Sequence, residues 1–135
     1  MASVPNARLF AEGGVAGFVG GAVSTVMWLA AESAGIPVVV DIPGQGLEAL
    51  TWVNFVAVGV LSGLGAALVA LLADGRRSAR RVFTTVAVAV AVLSLAPLVV
   101  QPEEVATSTR IVLALTHGVV YLAVVPRLAS RLRAR

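Results

Sequence analysis

His117 is the only histidine in the chain. It stands in the run LALTHGVVYL, residues 113 to 122, with no charged residue nearer than Arg110 and Arg127. An imidazole in such a place can relay a proton, bind a substrate, ligate haem or a metal, or share a hydrogen bond with a neighbour. At 100° per residue, Glu103, Thr107, Arg110, Ala114, His117 and Tyr121 fall within a sector of about 80° on one helix. His117 is therefore the deepest ionisable member of a polar stripe, and lipid would penalise that stripe unless it faced the interior of a bundle. Ser62 and Ser94 lie at similar depth in two other apolar segments, and Ser24 and Thr25 in a third. His117, Ser94, Ser62, Arg110 and Tyr121 together form the candidate intramembrane polar site. Its structural reading is a neutral His117 bonded to a serine or threonine of a neighbouring helix. Its functional reading is a proton relay or a substrate site.

Catalysis finds little support in the same residues. There is no GxSxG, no HExxH and no pair of carboxylates in the apolar segments, and nothing marks Ser62 or Ser94 as a nucleophile elbow beside His117. With one histidine and no cysteine, a metal site would need two chains. No catalytic residue, metal or cofactor is expected, and the protein is read as a non-enzyme. Glu12 could in principle couple a proton to export, but it falls at the edge of its helix and no aromatic cage surrounds it.

These groups must be positioned by helices. The chain has 135 residues, 59% of them hydrophobic and 13% charged, against about 25% charged in soluble domains. Four apolar stretches follow one another, each long enough to cross a hydrocarbon layer of about 30 Å. The prediction is an all-α, integral membrane four-helix bundle, a single transmembrane domain over 1–135, with helices at about 10–33, 49–73, 82–100 and 102–126. An outer loop at 34–48, a basic turn at 74–81 and a basic C-terminal segment at 127–135 complete it. The first stretch is too long for a signal-peptide core and is read as a retained helix. Gly35 and Pro37 stop it. Pro37, Pro43, Gly44 and Gly46 argue against helix in the outer loop, whose Val38–Val40 run should lie against the membrane surface or the bundle mouth. The VAVAVAV run at 86–92 is apolar on both faces, so it reads as helix rather than barrel strand. Pro102 suits a first helical position, with Glu103 and Glu104 in the first turn.

All ten basic residues are arginine. Arg8, Arg76, Arg77, Arg80, Arg81, Arg127, Arg131, Arg133 and Arg135 fall on one side if the chain crosses four times, which places both termini in the cytoplasm. The composition suggests a bacterial source, hence a multi-pass protein of the bacterial cytoplasmic (inner) membrane. Arg76, Arg77, Arg80 and Arg81 are expected to meet anionic lipid head groups, which leaves no basic surface for nucleic acid. Arg110 should snorkel or pair with Glu32, Asp41 or Glu48.

Gly13, Gly17 and Gly21 recur at steps of four, as do Gly59 and Gly63. Such small-residue faces bring helix backbones close in lipid. They pack the first helix on the second, or they form a homodimer or partner interface.

SLAPL at 94–98 and LALTHGVVYLAVVPRL at 113–128 resemble a family of small actinobacterial four-helix membrane proteins of unknown function. The shared pattern falls here on Ser94, Leu95, Pro97, Leu98, Leu113 and His117. The resemblance implies fold and location and assigns no activity. The leading expectation is a membrane protein acting through helix contacts, as a homo-oligomer or accessory subunit. The alternative is a small transporter or proton-coupled carrier using the site around His117, for which a cavity must reach that ring.

Overall fold

The computed structural model describes residues 6–132. Backbone polar groups have no water to bond in hydrocarbon, so apolar segments resolve into helices that satisfy them internally. Four form: α1 (Asn6–Ser33), α2 (Trp52–Ala73), α3 (Ala79–Val99) and α4 (Thr107–Ala129). All four are long and apolar enough to cross a membrane.

The 34–48 segment is not the irregular loop the sequence suggested. It folds into an antiparallel hairpin of β1 (Val39–Ile42) and β2 (Gly46–Ala49), with Ile42 opposite Gly46. The reason is local. Pro43 and Gly44 occupy the middle of a turn closed by the Gln45 N–H donating to the Ile42 carbonyl at 2.9 Å. Gly44 takes φ +84°, as the second central position of a type II turn requires. Because β2 uses Gly46–Ala49, α2 starts at Trp52 rather than near 49. Thr51 precedes it, and the Asn54 side-chain oxygen accepts from the Thr51 N–H and hydroxyl at 2.8 and 2.9 Å.

Two other boundaries move. α3 begins at Ala79, so Arg80 and Arg81 lie in its first turn and the basic turn shortens to 74–78. α4 begins at Thr107, not 102. Pro102, Glu103 and Glu104 instead form a turn, closed by the Val105 N–H donating to the Pro102 carbonyl at 3.0 Å. At its other end α4 passes through Pro126 to Ala129. Arg133 and Arg135 lie outside the described residues.

α1 ends where Gly35, at φ +76°, lets the chain double back. The Ile36 and Gly35 N–H groups then satisfy the carbonyls of Ala31 and Glu32 at 2.9 and 3.0 Å.

α1 packs along α2 through the glycine faces. A Cβ on Gly21 would lie 2.7 Å from the Phe55 carbonyl oxygen, and one on Gly59 would lie 2.5 Å from that of Gly17. At Gly13, Gly17 and Gly63 the overlap with the facing carbonyl would be worse. The next face of α1 meets α4, where a Cβ on Gly20 would approach the Val120 Cα to 3.0 Å. α3 is different: only Ala79 and Phe83 are buried in it. It closes on the others at the end carrying the 74–78 turn, where Phe83 joins Leu9, Ala67, Ala70 and Leu128. A second cluster of Ala31, Val38, Phe55 and Leu113 lies at the hairpin end.

Gly17→Ala and Gly63→Ala are each expected to lower stability by about 1–3 kcal/mol through overpacking. Gly118→Ala, where an added Cβ meets nothing within 4 Å, should be neutral or gain up to about 1 kcal/mol of helix propensity. Thermal unfolding in lipid nanodiscs, followed by circular dichroism, separates the two. Equal melting temperatures for all three variants would refute the glycine contact as a source of stability.

Candidate functional site

Because α1 takes its contacts from α2 and α4, the middle of α3 stands away from α2. The space between them is a cavity of about 470 Å³, floored by α4. That volume lies within the range of small-molecule sites. Its wall on α2 includes Val58, Ser62 and Gly65, all exposed in the chain alone, so the cavity is a cleft rather than a closed void. Towards the 74–78 turn the lining is apolar but for Tyr121, with Ala66, Val69, Phe83, Val86, Ala87 and Val124. The other polar groups gather from its middle to the hairpin end: Ser24, Asn54, Ser62, Ser94, Thr116 and His117.

Four of the five candidate polar residues, His117, Ser94, Ser62 and Tyr121, therefore line one cavity. They do not form the inter-helix contact that the sequence suggested. His117 Nδ1 meets the Leu113 carbonyl of its own helix at 2.7 Å. A carbonyl oxygen only accepts, so Nδ1 carries the proton, and in the neutral ring Nε2 keeps its lone pair. Ser94 donates to Ala91 and Thr116 to Leu113, each at 2.7 Å and each within its own helix. In lipid a hydroxyl or imidazole finds its surest acceptor in the preceding turn of its own backbone. Ser24 alone reaches across, to the Thr116 carbonyl, at a long 3.5 Å.

Arg110 does not line the cavity, and it forms no ion pair with Glu32, Asp41 or Glu48. Its Nη2 donates to the carbonyls of Gln101 and Pro102 at 2.9 and 2.8 Å, and its Nε to that of Val105 at 3.1 Å. It thus holds the α3–α4 connection in place, which also explains why that segment is not the first turn of α4. The acidic groups have other roles. Glu32 accepts from the Val38 N–H at 3.0 Å. Asp41 contributes its backbone N–H, which donates to the Gln101 side chain at 2.7 Å. Thr109, fully buried, donates to the Pro37 carbonyl at 2.8 Å. The hairpin is therefore fastened to α1, to the end of α3 and to α4. At the opposite end Glu12 accepts from Arg127 at 2.5 Å and Arg131 at 2.8 Å, tying α1 to α4.

Sequence reasoning missed Asn54 and Thr116 as lining residues, and Thr109 as a fastening. Thr109 and Thr116 lie seven residues apart, with buried Leu113 between them. That spacing was a legible helix face, obscured by attention to the charged stripe from Glu103, which is exposed. Among the described residues no group of three or more His, Asp or Glu could hold a metal ion.

In comparison with known proteins, a family model described as a family of unknown function, DUF6069, matches residues 4–134. No curated protein and no solved structure matches.

If Arg110 acts as a backbone clasp, Arg110→Met removes three hydrogen bonds, leaves the Pro102 carbonyl only its Val105 N–H partner, and should cost about 2–4 kcal/mol. Asp41→Asn and Glu48→Gln should change stability by under about 0.5 kcal/mol. Denaturation in mixed micelles checks the contrast. A comparable loss in Glu48→Gln would restore the ion-pair reading.

Proposed function

We propose that this chain, which belongs to the DUF6069 family of unknown function, is a non-enzymatic membrane protein whose cleft takes up an apolar molecule sideways from the bilayer. It serves as a small carrier or as the binding subunit of a larger assembly. The observation that carries this reading is the cavity between α2 and α3. It reaches His117, its lining carries no charged side chain and presents mainly apolar surface, and its α2 wall is open. A water-filled path would need more polar lining than this cleft has.

The location follows from charge. Arg8, Arg76, Arg77, Arg80, Arg81, Arg127 and Arg131 gather at the end of the bundle where α2 meets α3. The positive-inside rule sets that end, with both termini, in the cytoplasm of a bacterial cell. Arg76, Arg77, Arg80 and Arg81 then lie where anionic head groups are.

A second reading, association with another copy or a membrane partner, has its own support. The glycine faces are consumed between α1 and α2, and α3 is the least buried of the four helices. Val88, Val92 and Leu93 are exposed on it, and only 6% of its most apolar stretch is buried.

The chain has no cysteine, so single labels report cleanly. A nitroxide at Ser62→Cys should be relaxed by lipid-soluble oxygen and not by a water-soluble nickel chelate. Val90→Trp, which fills the cleft, should lower that oxygen access. Relaxation by nickel would replace the lateral cleft with an aqueous path. For the second reading, Val92→Cys should cross-link to dimers in nanodiscs. A monomer only, by cross-linking and by native mass spectrometry, would rule out self-association.

A further inference from the structure

The hydrogen-bond inventory of the cleft narrows what it can hold. Its lining contains no Asp, Glu, Lys or Arg among the described residues. A charged ligand would enter without a counter-charge, at a cost of several kcal/mol. The ligand is therefore neutral.

On the α3 and α4 walls, the donors other than the Tyr121 hydroxyl are already spent. The Ser94 and Thr116 hydroxyl protons go to the Ala91 and Leu113 carbonyls, and the His117 Nδ1 proton goes to Leu113. What these groups still offer the cavity is acceptor capacity, and the strongest acceptor is the free Nε2 of a neutral imidazole. His117 lines the cavity, and its Nε2 makes no hydrogen bond among the described residues and, unlike the indole nitrogen of Trp28, is not fully buried. An acceptor in apolar surroundings gains most from a partner that brings a proton. Ser62 and Tyr121 line the same space with hydroxyls that make no hydrogen bond among the described residues. A group that both donates and accepts could answer His117 and one of these together, and a hydroxyl is the smallest such group. The apolar end towards Phe83 and Val124 would take a hydrocarbon tail.

We infer that the cleft binds a neutral, hydroxyl-bearing apolar molecule, an alkylphenol or long-chain alcohol, with its O–H donating to His117 Nε2. This rests on the lateral-cleft reading above and adds the ligand's chemical class and orientation.

The lone histidine makes the test direct. The full chain is prepared with ¹⁵N-labelled histidine in phosphatidylcholine nanodiscs, with any affinity tag removed. It is titrated with 4-hexylphenol and, separately, with 4-hexylanisole, the methyl ether that lacks the proton; empty nanodiscs correct for partitioning. The expected result is an Nε2 resonance of the unprotonated type. It should move towards the hydrogen-bonded position with the phenol and stay still with the ether. Saturable affinity for the phenol should exceed that for the ether by about five- to tenfold. His117→Phe should abolish that preference, while the resonance test itself needs no variant.

Equal affinity for both probes, with no movement of Nε2, overturns the hydroxyl inference and leaves the cleft reading standing. An Nε2 that already carries the proton in the empty protein overturns it as well. Saturable binding of neither probe overturns the cleft reading itself.

Discussion

The close approach of α1 and α2 is the contact on which the rest of the molecule depends. Lipid tails are as apolar as leucine, so helices in a bilayer gain little by hiding hydrocarbon from their surroundings and must gain by packing. Gly13, Gly17 and Gly21 meet Gly59 and Gly63 so tightly that no Cβ fits at any of them. Gly20 gives α1 a second close approach, to α4. α1 thereby becomes the shared centre of a three-helix unit. α3, with valine and alanine where the others have glycine, has no such face to offer and is left at the edge.

The ends of α3 are nevertheless fixed. At one end Ala79 and Phe83 are sealed into the main apolar cluster. At the other, Gln101 is bonded to the hairpin through Asp41, and Arg110 gathers the carbonyls of residues 101, 102 and 105. A helix held at both ends and free in the middle leaves a gap, and the gap is the cleft. The fastening at the hairpin end uses mainly backbone atoms as partners. That suits a site where side-chain ion pairs would carry a heavy desolvation cost.

Three polar groups of the cleft follow one rule. Each donor in hydrocarbon needs an acceptor, and the carbonyl one turn back is always within reach. Ser94, Thr116 and His117 all bond in this way, so they add little to helix association. Their burden is turned inward on their own helices, and their acceptor atoms are what the cavity is left with. A polar stripe in a membrane helix is thus not evidence of a bond across the bundle; the local carbonyl competes for every donor and holds the advantage of proximity.

Four membrane-length helices, the stop at Gly35 and the gathering of arginine were legible in the sequence, because hydrophobic length, positive φ and charge are local properties. The hairpin was half legible. Pro43 and Gly44 were read as helix breakers when, with Ile42 and Gln45, they spelled a type II turn. The start of α4 was misplaced because Pro102 and the two glutamates make a sound first turn, and only the distant grip of Arg110 holds them out of it. The sequence by itself determined that His117 would lie at mid-depth among hydroxyls, since depth is set by counting along a helix. Only the tertiary structure decided that its ring faces a cleft instead of a partner side chain. That outcome depends on which helices touch, and the touching was settled by glycines on α1 and α2, far from His117 in the chain.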